Sequence, residues 1–145
     1  MKKFAVVVVT VFLAVTSVRA AHAETAIGAV FGHPGNAGLS LRFDNIPIGA
    51  AWSDDFLHAT IDMWLKKTPL DNEQLSWYWG IGADAGLPFE DTHEFFLAAR
   101  VPVGLQFMAT PKWEIFGELA PGLQVLDETD FYIAGAAGVR YVLGK

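Results

Sequence analysis

The chain contains no cysteine among its 145 residues. This absence excludes disulfide bridges, thiolate metal sites and a lipid anchor on an N-terminal cysteine. Basic residues are also scarce, because ten Lys and Arg stand against sixteen Asp and Glu, for a formal net charge of −6. Proteins that bind nucleic acid carry a basic patch, and none is visible here, so we expect no nucleic-acid partner.

Long apolar runs are missing beyond the N-terminal region. That region begins with Met1-Lys2-Lys3, continues with an apolar run over residues 4–15, and reaches Ala21-His22-Ala23. This order is typical of a secretory signal peptide cleaved after Ala23. The run is shorter than the roughly 20 residues of a membrane-spanning helix. We therefore expect residues 1–23 to be a signal peptide for export through the Sec pathway and residues 24–145 to form one domain.

Apolar residues are abundant in the remaining chain, and they alternate with polar or small ones. Overall the sequence is 52% hydrophobic and 13% aromatic. Clusters of Gly, Pro, Asn and Asp divide the domain into eight segments, and the longest break is 66–76. In the last segment, Ile133, Val139 and Leu143 share one face while Tyr132 and Arg140 share the other. Such alternation predicts strands rather than helices.

The length of the segments favours a membrane. Several exceed ten residues, whereas a tilted membrane-spanning strand needs roughly 9–11. The predicted fold is all-β, an eight-stranded antiparallel up-and-down transmembrane β-barrel. Aromatic residues near the segment ends fit this interpretation, because amphipathic rings favour the membrane–water interface. These aromatic residues are Trp52, Trp77, Trp79, Phe107, Trp113 and Tyr141.

One face of the predicted strands carries charges separated by Gly and Ala. A narrow barrel has room for only a few long side chains inside, and buried charges need partners of opposite sign. We therefore predict a barrel-interior charge network, with Arg100–Glu118 and Glu118–Arg140 as cross-strand pairs. The predicted network consists of Arg42, Asp62, Asp84, Arg100, Glu118 and Arg140. The alternative is that these are solvated charges on the surface of a soluble protein.

Catalytic and metal-binding patterns are weak. His33, His58 and His93 are scattered without ligand spacing, so no metal or cofactor site is expected. Ser40 and His58 would serve a lipid-modifying enzyme only if the fold brought them together with a carboxylate. We therefore assign no catalytic residue.

Three stretches in the C-terminal half resemble a known family. They are Arg100-Val-Pro-Val-Gly-Leu105, Phe116-x-Glu118-x-Ala-Pro-Gly-Leu123 and Gly138-Val-Arg-Tyr141. They resemble small eight-stranded outer-membrane β-barrel proteins, similar in architecture to OmpA/OmpX-type barrels, and Tyr78-x-Gly80-x-Gly82 matches the fifth strand of that family. The resemblance implies a bacterial outer-membrane location, insertion by the barrel-assembly machinery and contact with the lipid bilayer. It implies no catalytic residues.

The sequence thus favours an integral outer-membrane protein with a structural or surface-interaction role. An open pore is not expected, because side chains fill the interior of an eight-stranded barrel. Two alternatives remain open: a soluble periplasmic lipocalin-like binder of apolar ligands, and a lipid-modifying outer-membrane enzyme. The ligand, if there is one, is not specified by the sequence.

Overall fold

The fold is described from a computed structural model, which covers residues 24–33, 35–90, 95–126 and 129–144. The predicted signal peptide lies outside these residues. Nine β-strands account for most of the described chain. They are β1 (Thr25–His33), β2 (Ala37–Phe43), β3 (Ile46–Trp52), β4 (Phe56–Pro69), β5 (Leu75–Pro88), β6 (Phe96–Arg100), β7 (Val103–Met108), β8 (Trp113–Gln124) and β9 (Asp130–Gly144).

The strands form a hydrogen-bonded ring that is eight strands around. Every neighbouring pair is antiparallel, and β1 pairs with β2 on one side and with β9 on the other. We call the edge that holds Glu24 and Gly144 the termini end, and the opposite edge the loop end. The turns β2–β3, β4–β5 and β7–β8 lie at the termini end. The predicted antiparallel arrangement of sequential strands is confirmed at this level.

The sixth predicted segment, 94–107, is not one continuous strand. It divides into β6 and β7 around Val101 and Pro102, and both parts pair with β5 and β8. The register is the same on both sides of the interruption, and the Gly80 N–H still donates to the Pro102 carbonyl at 3.0 Å. Proline has no N–H, so Pro102 removes one donor from the ladder. Nine strands therefore fill eight positions.

The predicted break at 66–76 is also shorter than expected. Strand β4 continues to Pro69 and β5 starts at Leu75, so the turn covers only residues 70–74. A register shift between Trp64 and Lys66 marks a β-bulge, after which Lys66 lies opposite Trp79. Residues directly opposite in an antiparallel pair share a face. The bulge therefore moves Lys66 to the outer face, and the predicted alternation with Asp62 and Trp64 is wrong at this position.

Apolar and polar side chains are distributed inside out relative to a soluble protein. Within the described residues, twenty-five large apolar side chains are exposed, and ten polar or charged residues are buried. Exposed and buried residues alternate along β8, where Trp113 and Ile115 are exposed and Glu114 and Phe116 are buried. In the described part of the chain, no helix has the length and apolar character to cross a membrane.

Candidate functional site in the ring interior

Two arginines share one carboxylate near the termini end of the interior. The Nη2 and Nε groups of Arg42 donate to Glu114 Oε2 at 2.7 and 3.0 Å. On the other side, Arg140 Nη1 donates to Glu114 Oε1 at 2.6 Å. Glu114 is fully buried. Both carboxylate oxygens are therefore engaged by guanidinium groups, which is the arrangement that compensates a buried charge best.

Other donor groups of these arginines have further partners. Arg42 Nη2 reaches Glu24 Oε1 at 2.8 Å, so two carboxylates balance two arginines in this group. Arg140 Nε donates to the Ser40 hydroxyl at 2.8 Å. The guanidinium of Arg140 also lies 3.8 Å from the centre of the Phe116 ring, a cation–π contact. We call Glu24, Arg42, Glu114 and Arg140 the termini cluster.

A second ion cluster occupies the middle of the interior. Arg100 Nη2 donates to Asp62 Oδ2 at 3.1 Å and to Glu118 Oε1 at 2.7 Å. The Tyr78 hydroxyl donates to the other oxygen of Glu118, also at 2.7 Å. The Tyr78 ring stacks on Trp64 with 4.1 Å between centroids, which fixes the hydroxyl in place. We call Asp62, Arg100 and Glu118 the central cluster.

Looser contacts lie towards the loop end. Asp84 is fully buried, yet no arginine is hydrogen-bonded to it among the described residues. His58 Nδ1 and the Tyr132 hydroxyl approach its two oxygens, each at 3.3 Å. The Phe96 ring contacts both His58 and Tyr132 edge-on. This group of His58, Asp84 and Tyr132, which we call the loop-end group, has longer hydrogen bonds than either ion cluster.

Small residues give the long side chains room. A Cβ atom built on Gly82 would collide with the Asp62 carboxylate, and one built on Gly104 would collide with the Tyr78 ring and hydroxyl. Only glycine leaves this space without a backbone shift. The glycines at inward positions therefore provide the space that the charge network needs.

A cavity of about 70 Å³ remains in the interior, and its lining includes Ser40, His58 and Thr60. The lining also includes members of all three groups, from Arg140 of the termini cluster to Asp84 of the loop-end group. A water molecule occupies about 30 Å³ in the liquid, so the cavity has room for a couple of waters and not for a lipid chain.

The structure brings the six predicted network residues into three separate groups. Arg42 and Arg140 meet at Glu114, whereas Arg100 joins Asp62 and Glu118; Asp84 lies apart. The expected Arg100–Glu118 pair is present at 2.7 Å. The expected Glu118–Arg140 pair is not formed, because the β8–β9 register sets Glu114, and not Glu118, opposite Arg140.

Sequence reasoning missed Glu114 as a member of the network. The signal was available, since Glu114 lies four positions before Glu118 in the same strand and so on the same face. Tyr78 and Tyr132 were missed as well, because hydroxyl partners of carboxylates leave no charge pattern in the sequence.

The residues considered for catalysis and metal binding do not form a site. Ser40 and His58 line the same cavity, but the Ser40 hydroxyl accepts from Arg140, and no Ser40–His58 hydrogen bond occurs among the contacts of these two described residues. Nor does any group of three or more His, Asp or Glu in the described ranges have the arrangement to hold a metal ion.

Comparisons of the chain with models of protein families, with characterised proteins and with solved structures find no match. Function must therefore be argued from the ring itself.

Proposed function

We propose that the protein is an integral outer-membrane β-barrel with a structural or surface-interaction role. The observation that carries this proposal is the inside-out distribution of its side chains. Ion pairs are buried inside the ring, and Leu119, in the middle of β8, is 64% exposed outside it. In a lipid bilayer, a closed ring satisfies all backbone groups, and its outer side chains contact hydrocarbon.

A soluble protein with this surface is disfavoured on energetic grounds. The largest apolar patch on a typical soluble monomer covers roughly 300–600 Å². Here, exposed apolar side chains occur at each of the eight places that strands occupy around the ring, from Ile27 on β1 to Leu143 on β9. The lipocalin-like alternative also needs an apolar interior that holds a ligand, whereas this interior holds ion clusters and a cavity of about 70 Å³.

The spacing of the outer aromatic residues fits the thickness of a membrane. Phe131 and Tyr141 are ten positions apart in β9. At about 3.3 Å per residue and a strand tilt near 40°, this stretch rises about 25 Å, close to the apolar band of roughly 25 Å in outer-membrane barrels. At the termini end, Trp113 packs edge-on against Tyr141, and Lys112 lies 5.8 Å from the centre of the same ring.

The proposed role does not include transport. The termini cluster and the central cluster occupy the interior at two levels, and each links strands that are not neighbours, such as β2 with β8 and β4 with β6. We therefore expect the barrel to be closed to ions, with both chain termini in the periplasm and the loop end outside the cell. Insertion by the barrel-assembly machinery is part of the same proposal.

Fractionation of cells that express the full 145-residue chain tests the proposal. We expect the protein in the outer-membrane fraction, and we expect its gel mobility to change on boiling. A folded monomer in buffer without detergent would contradict the membrane location.

A matched pair of variants tests which face contacts lipid. In a membrane, Leu119→Arg is expected to cost about 2–4 kcal/mol of stability, because it sets a charge near the bilayer midplane. On a solvated surface the same change costs under about 0.5 kcal/mol. Asp71→Arg, in the exposed β4–β5 turn, is the control that neither environment penalises.

A further inference from the structure

Glu24, which directly follows the predicted cleavage site, is held at the termini end through three of its polar groups. Its backbone nitrogen donates to Asp44 Oδ1 at 2.9 Å, and its carbonyl accepts from the Asp44 N–H at 2.8 Å. Its carboxylate accepts from Arg42 Nη2 at 2.8 Å. The first residues of a domain are poorly ordered unless they are tied down, and these contacts tie Glu24 to the turn between β2 and β3.

The turn that presents the Asp44 carboxylate has a distinctive backbone. Asp44 has a φ of 52°, and it is the only non-glycine residue with a positive φ in the described ranges. Asp and Asn adopt this left-handed conformation more readily than other residues with a side chain. Arg42 Nη1 donates to the Asp44 carbonyl at 2.7 Å, so the arginine that pairs with Glu24 also holds the turn. Arg42 therefore fixes both partners of the contact between the Glu24 nitrogen and Asp44.

The Asp44 carboxylate has no side-chain cation as a partner. Within the described part of the chain, the ion pairs of Lys, Arg and His side chains involve other carboxylates. The nitrogen that donates to Asp44 belongs to the peptide bond between Ala23 and Glu24 in the precursor, and it is uncharged there. A positive charge on this nitrogen would give Asp44 a cation at 2.9 Å without any movement of the chain.

We propose that cleavage after Ala23 supplies this charge, so that the new N-terminus of the mature chain pairs with Asp44 at the mouth of the ring. The inference rests on the export that the proposed function requires. Hydrolysis of the peptide bond consumes one water molecule, leaves a carboxylate on Ala23 and turns the Glu24 nitrogen into an α-ammonium group. Such a group is largely protonated at neutral pH. A hydrogen bond between two charged groups is roughly twice as strong as one between neutral groups, so processing strengthens a contact that the fold already makes.

A glycine inserted between Ala23 and Glu24 moves the charge away from Asp44. The small-x-small cleavage site is kept, so the mature chain begins one residue earlier and the Glu24 nitrogen remains an uncharged amide. Asp44→Asn is the matched change on the other partner, because Asn also adopts the left-handed conformation and keeps a side-chain oxygen as acceptor. Each full-length chain is expressed with and without the insertion, and the processed proteins are compared by urea unfolding in detergent micelles.

The effect of the insertion should depend on Asp44. With Asp44 present, we expect the insertion to raise the unfolding equilibrium constant about threefold, the size expected for an exposed ion pair. In the Asp44→Asn background, we expect a change of less than about 1.5-fold, because the pairing is already lost. Asp71→Asn, in the exposed β4–β5 turn, is the control in which the insertion should keep its full effect.

Three results would overturn the proposal. An intact mass of the processed wild type that does not correspond to a chain starting at Glu24 would place the new N-terminus elsewhere. An insertion without effect on wild type would show that the charge contributes nothing, and equal effects in all backgrounds would show that Asp44 does not hold it. If the insertion variants do not fold, Asp44→Asn alone should raise the unfolding constant relative to Asp71→Asn, and equal values would reject the pairing. Both measurements use purified protein from any cell fraction, so they are separate from the test of membrane location.

Discussion

The termini half and the loop half of the ring interior compensate their buried carboxylates differently. Near the termini, Glu114 lies between Arg42 and Arg140, with contacts of 2.6–3.0 Å. Near the loops, the hydrogen-bond partners of Asp84 within the described ranges are His58 and Tyr132, each at 3.3 Å. The buried carboxylate of the termini half therefore has shorter and charged partners, and we expect it to contribute more to stability than Asp84 does in the loop half.

Removal of Glu114 should have the largest effect. Glu114→Ala leaves two buried guanidinium groups facing each other without a shared carboxylate, so we expect a loss near the upper end of the ~3–5 kcal/mol range. Urea unfolding in detergent micelles, followed by gel mobility, measures the change. The control is Glu73→Ala, because Glu73 is an exposed carboxylate in the β4–β5 turn. A loss of less than about 1 kcal/mol in the free energy of unfolding would show that Glu114 contributes little to stability.

Removal of Arg100 should come second. Arg100→Ala leaves Asp62 and Glu118 without their cation, but Glu118 keeps the hydrogen bond from Tyr78. We therefore expect a loss near the lower end of the same range, about 3 kcal/mol. The same unfolding assay applies, and the control is Lys112→Ala, which removes an exposed charge. An unchanged midpoint would reject the central cluster as a source of stability.

Substitutions at two glycines compare the crowding of the interior with that of the outer face. A methyl group at Gly104 would overlap the Tyr78 ring, whereas nothing lies within 4 Å of the corresponding position at Gly117. We expect Gly104→Ala to cost about 1–3 kcal/mol through overpacking, and Gly117→Ala to be neutral or stabilising by up to about 1 kcal/mol. Equal effects of the two substitutions in the unfolding assay would contradict the crowded interior around Tyr78.

The smallest effect is expected from loss of the Tyr132 hydroxyl at the loop end, and loss of the Tyr78 hydroxyl is its comparison. Tyr132→Phe removes a 3.3 Å hydrogen bond to Asp84, whereas Tyr78→Phe removes a 2.7 Å hydrogen bond to Glu118. We expect a cost below about 1 kcal/mol for the first change and about 1.5–3 kcal/mol for the second, since short bonds to charged groups are the strong ones. If Tyr132→Phe were the more damaging change, the looser character of the loop half would be wrong.

Alternation in the sequence was sufficient to predict the inward face of the network residues, although it failed for Lys66 after the β-bulge. Asp62, Arg100 and Glu118 fall on the buried side because side chains in a strand alternate with a period of two. Alternation says nothing about height along the ring, which depends on register. For this reason Glu118 was matched with Arg140, although the register sets Glu114 opposite Arg140.

Local irregularities could not be predicted for a related reason. The bulge near Leu65 adds one residue to β4, and this extra residue reverses the face that simple alternation predicts for Lys66. The interruption at Pro102 had a sequence signal, since proline lacks a donor. That signal did not reveal that β6 and β7 keep a common register across the gap.

The seam between β1 and β9 has a consequence for biosynthesis. Gly28 pairs with Arg140, so residues near the two ends of the domain become neighbours only when the last strand has been made. Before that, β1 and β8 each present an unpaired edge, which invites pairing with other chains. A nascent chain that stops before β9 also lacks one of the two cations that hold Glu114. Closure of the ring and the charge balance around Glu114 therefore both depend on β9, so we expect a chain truncated before β9 not to form the ring.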